Sequence, residues 1–308
     1  MKKIIIIAVF SLMLGAMNAE ACDICGCGVG NSYIGILPEF SKEIIGIRYR
    51  FNSLISHLGR DGMATYLTTD EMYKTIELWG GWNISNHFRL MASLPYSLNE
   101  QTNQGFTKSK NGIGDASLSG FYQLLNSRKV IPGSKLLVQS LWIGGSIKLP
   151  TGKYNPKDKS IISENANLFQ LGTGSVDFSL GLMYDVRLQD LGLNLAANYK
   201  MNTTNQYEYR YGNKLSTNLQ AYYKIRVKKM ITVAPNAGVL FETAEKDTDH
   251  GFTVDISGGN LTMATVGIET GFRNISLGGN WQTPVSQNLA NGIIKANNRF
   301  MVHLALVL

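Results

Sequence analysis

The only cysteines in the 308 residues crowd together in Cys22-Asp-Ile-Cys25-Gly-Cys27. Three thiolates in one short stretch suit a soft ion such as Cu(I) or Zn(II), with a histidine or an amino terminus completing the shell. In an oxidising compartment the same spacing supports one disulfide and a leftover thiol, or a lipid on Cys22. A Cys-x-x-Cys-His run, which would indicate attached haem, is absent from the sequence.

The histidines are His57, His87, His250 and His303. No nucleophile elbow and no paired His/Glu metal spacing accompanies them. An outer-membrane hydrolase built around His303 is therefore only a third reading, and the chain is expected not to be an enzyme. No phosphate-binding loop is visible, so transport driven by nucleotide is not expected. The net charge is +7, and the basic residues are scattered, which excludes a nucleic-acid footprint. Their one cluster, Arg226 with Lys228 and Lys229, reads as a solvated turn.

The elements that must position these residues are strands. In Gly174–Leu188, Val176, Phe178, Leu180, Leu182, Tyr184, Val186 and Leu188 share one face, and Ser175, Asp177, Ser179, Gly181, Met183, Asp185 and Arg187 the other. Such alternation gives a strand one apolar and one polar face. It recurs in twelve candidate strands, at 43–52, 71–84, 87–99, 112–126, 136–150, 174–188, 191–202, 213–227, 230–244, 258–272, 275–286 and 298–308. Each is long enough for a tilted strand to cross hydrocarbon. Short polar turns such as Ser85-Asn86, Gln189-Asp190, Lys228-Lys229 and Arg273-Asn274 alternate with long loops at 53–70, 100–111, 151–173, 203–212, 245–257 and 287–297.

This rhythm predicts an all-β fold, a closed antiparallel transmembrane barrel of about twelve strands, with lipid outside and water within. Short turns and both termini then face the periplasm of a Gram-negative bacterium. Trp82, Tyr96, Tyr122, Tyr199, Tyr223 and Trp281 suit the membrane interfaces. The final alternating run, Phe300 to Leu308, resembles the end that barrel-assembly machinery receives, although Leu308 stands where an aromatic residue is usual.

Ahead of the barrel, Lys2 and Lys3, the apolar run Ile4 to Leu14 and Ala19-Glu20-Ala21 form a signal peptide over 1–21. Residues 22–42 are then a cysteine-containing segment, periplasmic or tucked into the lumen, and 43–308 the barrel. The predicted lumen rows carry Arg48, Arg50, Glu77, Arg89, Asp115, Lys148, Asp177, Asp185, Arg187, Lys200, Lys224, Arg226, Glu242, Glu269 and His303. Mixed signs can satisfy one another inside a narrow barrel or line a weakly selective path.

Three further patterns lie in order: Gly112-Ile-Gly114-Asp115, Leu149-Pro150-Thr151-Gly152-Lys153, and Gly172-Thr173-Gly174-Ser175-x-Asp177. They frame the longest loop, and structural need or gating could each explain them. Over roughly residues 110–200 they resemble the outer-membrane transporters of the meta-pathway of phenol degradation family. The cysteine head lies outside that pattern and is similar to the start of some Bacteroidetes-type exported barrels. The resemblance implies a single-chain barrel that passes small hydrophobic or aromatic solutes, with outer-membrane lipid and the solute as partners. A different class of function remains open, in which the barrel anchors a periplasmic metal-binding or redox-sensing head.

Overall fold

A strand that pairs on both sides satisfies all its backbone groups, but an open sheet leaves two edges unpaired. In the computed structural model, which describes residues 42–59, 62–158, 167–227 and 230–308, those edges meet. The strands are β1 (Ile44–Ser56), β2 (Thr69–Asn83), β3 (Phe88–Asn103), β4 in two pieces (Phe106–Ile113 and Ser117–Ile131), β5 (Lys135–Lys148) and β6 (Asp177–Leu188). They continue as β7 (Leu191–Met201), β8 in two pieces (Lys214–Tyr223 and Ile225–Val227), β9 (Ile231–Ala244), β10 (Gly259–Phe272), β11 (Ile275–Leu289) and β12 (Lys295–Val307). Each pairs antiparallel with its neighbours in sequence, and β1 closes on β12 in a register running from Ile44 opposite Val307 to Ile55 opposite Lys295. The result is a closed up-and-down barrel of twelve strands.

One end of the barrel carries the tight turns and the other the long connections, as the alternation of lengths predicts. At the turn end, Gln189 and Arg273 take positive φ values of 56° and 51°, which lets two-residue hairpins follow the strand twist. At the loop end β1–β4, β11 and β12 reach beyond their predicted limits, whereas β5–β8 and β10 stop slightly short of theirs. Phe106–Ile113 pairs with Tyr96–Asn103, so the expected loop at 100–111 is largely a hairpin. β11 runs on to Leu289 and β12 begins at Lys295, which shrinks the expected loop at 287–297. Outside hydrocarbon a strand still needs its ladder hydrogen bonds but no apolar face, so the sequence pattern fades before the pairing does.

The two faces differ as lipid and water require. Outward residues such as Ile47, Leu180, Leu219, Val239 and Leu304 are exposed all round the wall. So are Trp82, Tyr96, Tyr122, Tyr199, Tyr223 and Trp281. A continuous apolar coat of this kind is untenable in water and stable in a bilayer. The ion pair of Lys74 with Glu100, 3.1 Å, joins two outward positions of β2 and β3 close to the loop end.

Inward glycines make room for large lumen side chains to lie flat. A Cβ on Gly192 would sit 2.2 Å from the Tyr222 ring, and one on Gly144 would sit 2.5 Å from the Phe121 ring.

Candidate functional site in the barrel lumen

The loop end of the lumen is stoppered by apolar side chains. Leu54, Tyr73, Leu240, Leu261, Met263, Leu289 and Ala296 point inward from β1, β2 and β9–β12 and pack with Ala290 and Ile294. Leu168, from the long connection between β5 and β6, completes this cluster from above. The same connection buries Asn167, Phe169, Gln170, Leu171 and Thr173. Asn99 donates to the Gln170 carbonyl at 3.2 Å and Tyr211 to the Asn167 carbonyl at 2.9 Å, so the chain is tied to two sides of the mouth.

The three sequence patterns meet at one buried clamp beneath this connection. Lys148 Nζ lies 2.5 Å from Asp115 Oδ2 and 2.8 Å from Asp177 Oδ2, and Lys200 Nζ lies 3.6 Å from the same Asp177 oxygen. Asp115 also accepts hydrogen bonds from the backbone N–H of Gly152 at 3.0 Å and of Thr173 at 2.9 Å. Lys148 also donates to the Thr173 hydroxyl. Ser175 donates to Asp177 Oδ1 at 2.8 Å. Gly172 is obligatory because an added Cβ would meet Asp115 Oδ1 at 2.3 Å and the Gly152 carbonyl at 2.7 Å. One carboxylate therefore holds both ends of the longest connection.

A second tether is outside the clamp. Lys108 and Lys110, on the protruding β3–β4 hairpin, each approach Asp158 at 2.6 Å. Burial pushes the Asp158 carboxyl up, but hydrogen bonds from Lys108 and Lys110 outweigh it and hold its pKa below the usual carboxylate range. Nearby, burial and then the charge of Asp247 push the Tyr209 hydroxyl well above its ordinary value. Tyr209 donates to Asp247 at 2.5 Å.

The other predicted lumen residues fall into matched sets. Glu242 accepts Lys214 at 3.1 Å and Arg299 at 2.8 Å. Glu77 pairs with Arg48 at 3.1 Å and Arg50 at 3.4 Å. His303 lies 3.3 Å from Glu269, the two meeting over Gly278 of the strand between them. Towards the turn end, Asp185 accepts the Tyr222 hydroxyl at 3.0 Å, and Lys224 sits over the Tyr222 ring at 5.5 Å. Arg89 donates to the Lys42 carbonyl at 2.5 Å and Arg187 to the Gln189 carbonyl at 2.6 Å.

Arg226 is the exception to the expected placement. Its side chain is 55% exposed and pairs with Asp190 of the neighbouring turn at 2.6 Å. β8 breaks at Lys224, whose N–H donates to the Asp190 carbonyl, and the last piece runs past the rim. The inward row of the sequence thus continues beyond the lumen itself. Cys22, Cys25 and Cys27, the signal peptide and the rest of the head lie outside the described residues.

Sequence reasoning put Met183 and Tyr222 on the inner face but missed the other apolar residues there. Trp79, Met91, Phe121 and Trp142 occupy inward positions, as do the leucines of the stopper. The available signal was an apolar residue at the parity of a polar row.

Residues 58–283 match the family described as "Putative MetA-pathway of phenol degradation". The chain belongs to this family. The match spans all three patterns of the clamp. Among solved structures the chain is similar to an outer-membrane channel from Pseudomonas putida F1, at 15% identity and a TM-score of 0.58, covering 91% of this chain and 100% of that one. It is also similar to the β domain of a Bordetella autotransporter, at 11% identity and a TM-score of 0.50, covering 87% and 100%. No curated protein matches in sequence. The chain shares the closed antiparallel β-barrel fold of these outer-membrane proteins.

Proposed function

We propose that the barrel conducts small, largely apolar or aromatic solutes passively across the outer membrane of a Gram-negative bacterium. The observation that carries this reading is the apolar lining of the loop-end mouth, where Leu54, Leu240, Leu261, Met263 and Leu289 are almost fully buried around Leu168. A hydrophobic solute gains free energy on entering such a site, about 25 cal/mol per Å² of apolar surface removed from water. Below it, among the described residues, the matched charges of the inner wall carry no ring of one sign, which fits a path without strong ion selectivity. The connection between β5 and β6 is the gate in this reading, and the clamp on Asp115 keeps it seated. The phenol named in the family description makes aromatic solutes the first to test.

In the same proposal the loop end faces outward and the turn end, with both termini, faces the periplasm. The assembly machinery receives the strand that ends at Leu308. The Cys22, Cys25 and Cys27 head binds Cu(I) or Zn(II), or forms a disulfide, without taking part in passage.

Initial uptake of labelled phenol and toluene decides the matter in cells whose outer leaflet is intact. Cells carrying the protein should take up both faster than cells lacking it, and deletion of residues 22–41 should leave that advantage in place. Equal rates with and without the protein would sink the channel reading.

A further inference from the structure

A second apolar cluster lies in the lumen, well below the stopper. Ile44 of β1, Trp79 of β2 and Ala305 of β12 are buried against one another. Met91 of β3 and Met183 of β6 pack against them. β6 stands at least four places round the barrel from β1, β2 and β12. Met183 therefore reaches over the lumen instead of along its own wall. Ala196 is its partner on β7, and this small residue leaves the methionine free on that side.

Charged groups lie on both sides of this cluster. One layer towards the loop end lie Arg48, Arg50 and Glu77. Towards the turn end lie Arg89, two residues before Met91, and Asp185, two residues after Met183. Trp79 is engaged by Arg48, which lies over its ring at 5.1 Å, whereas the two methionines extend from the cluster between charged groups. The chemistry of the cluster suits a valve. Hydrated ions shun a constriction that offers no polar atom. Unbranched thioethers reshape easily and make favourable contacts with aromatic faces.

We propose that Met183 and Met91 form the constriction that selects what crosses this lumen, closed to water and ions and yielding to flat apolar molecules. The proposal rests on the channel reading, yet it can be tested apart from it. Single-channel current in planar bilayers is measured for the full chain and for a form in which residues 154–170 are replaced by a short Gly–Ser linker, which takes Leu168 out of the stopper lying in series. Folding of each variant is checked by its heat-dependent shift in gel migration.

In the linker form, M91A/M183A should raise conductance by about threefold or more and admit arabinose into liposomes. M91Q/M183Q, of similar length but wettable, should raise it too, and M91L/M183L should not. Conductance of the Ala and Gln forms within the scatter of the parent would overturn the proposal. A changed conductance in a protein that gives cells no advantage in phenol or toluene uptake would instead sink the channel reading and leave the constriction standing.

Discussion

Lys148 and Asp115 meet at 2.5 Å although they stand 33 residues apart, Asp115 closing one sequence pattern and Lys148 immediately preceding the next. Both are almost wholly buried, and the pair joins the start of the longest connection to the chain that precedes it. Because Asp115 also accepts the Thr173 N–H, it spans the connection from its first residues to its last.

Replacing Asp115 by Asn should therefore loosen the gate and destabilise the barrel. Lys148 would keep Asp177 as a partner, so the loss should lie near the low end of the range for a broken buried pair, about 3 kcal/mol. Urea unfolding in lipid vesicles, followed by tryptophan fluorescence, measures it. Proteolysis within 154–170 should quicken in parallel. A variant as stable and as resistant as the parent would show that the clamp holds nothing.

Gly192→Ala should cost about 1–3 kcal/mol, because the new methyl group would overlap the Tyr222 ring. In a Tyr222→Ser background the same change should cost little. If the two costs simply add, the glycine is needed for some reason other than the ring.

Leu219 lies on the lipid face near the middle of β8 and is exposed. Leu219→Lys should cost about 2–4 kcal/mol when the protein folds into a bilayer. Its inward neighbour Asn218→Lys tests the opposite face, where the lumen can hydrate the charge. The prediction fails if the lipid-face variant folds as readily as the parent.

The tether at Asp158 should release on acidification. Its pKa is depressed in the folded protein, so the tether contributes stability fully above the unfolded value of about 3.9 and loses it as pH falls through the folded value below that. Pepsin cleavage of the β3–β4 hairpin should thus rise as pH is lowered below about 4. Asp158→Asn should show the acid rate throughout the pH range. Identical pH profiles for parent and variant would rule out Asp158 as the titrating group.

Arg226→Ala should be nearly silent, changing stability by less than about 1 kcal/mol, since an exposed pair at the rim contributes little. A marked change in solute selectivity would return Arg226 to the lumen.

The alternation in stretches such as Gly174–Leu188 was enough to establish strands, their two faces and the lipid outside them. A period of two leaves each strand only one way to stand between hydrocarbon and water. The lengths of the connections were enough to set the hairpin order. Where each strand stopped was not legible, because beyond the bilayer the hydrogen-bond ladder of residues such as Glu100 and Ser109 continues without an apolar face. The misplacement of Arg226 has the same origin, since parity along a strand says nothing of height relative to the rim.

Only tertiary structure decided which distant residues share the lumen. Arg299 of β12 finds Glu242 of β9, and Met183 packs on a cluster built from the far side of the ring. The bend that closes the sheet brings such residues together, and it leaves no trace in the spacing within any one strand. The inward leucines and methionines read as breaks in a polar row. Once the wall is closed they become the stopper and the constriction, because inside a narrow barrel an apolar side chain can be buried by strands it never touches in sequence.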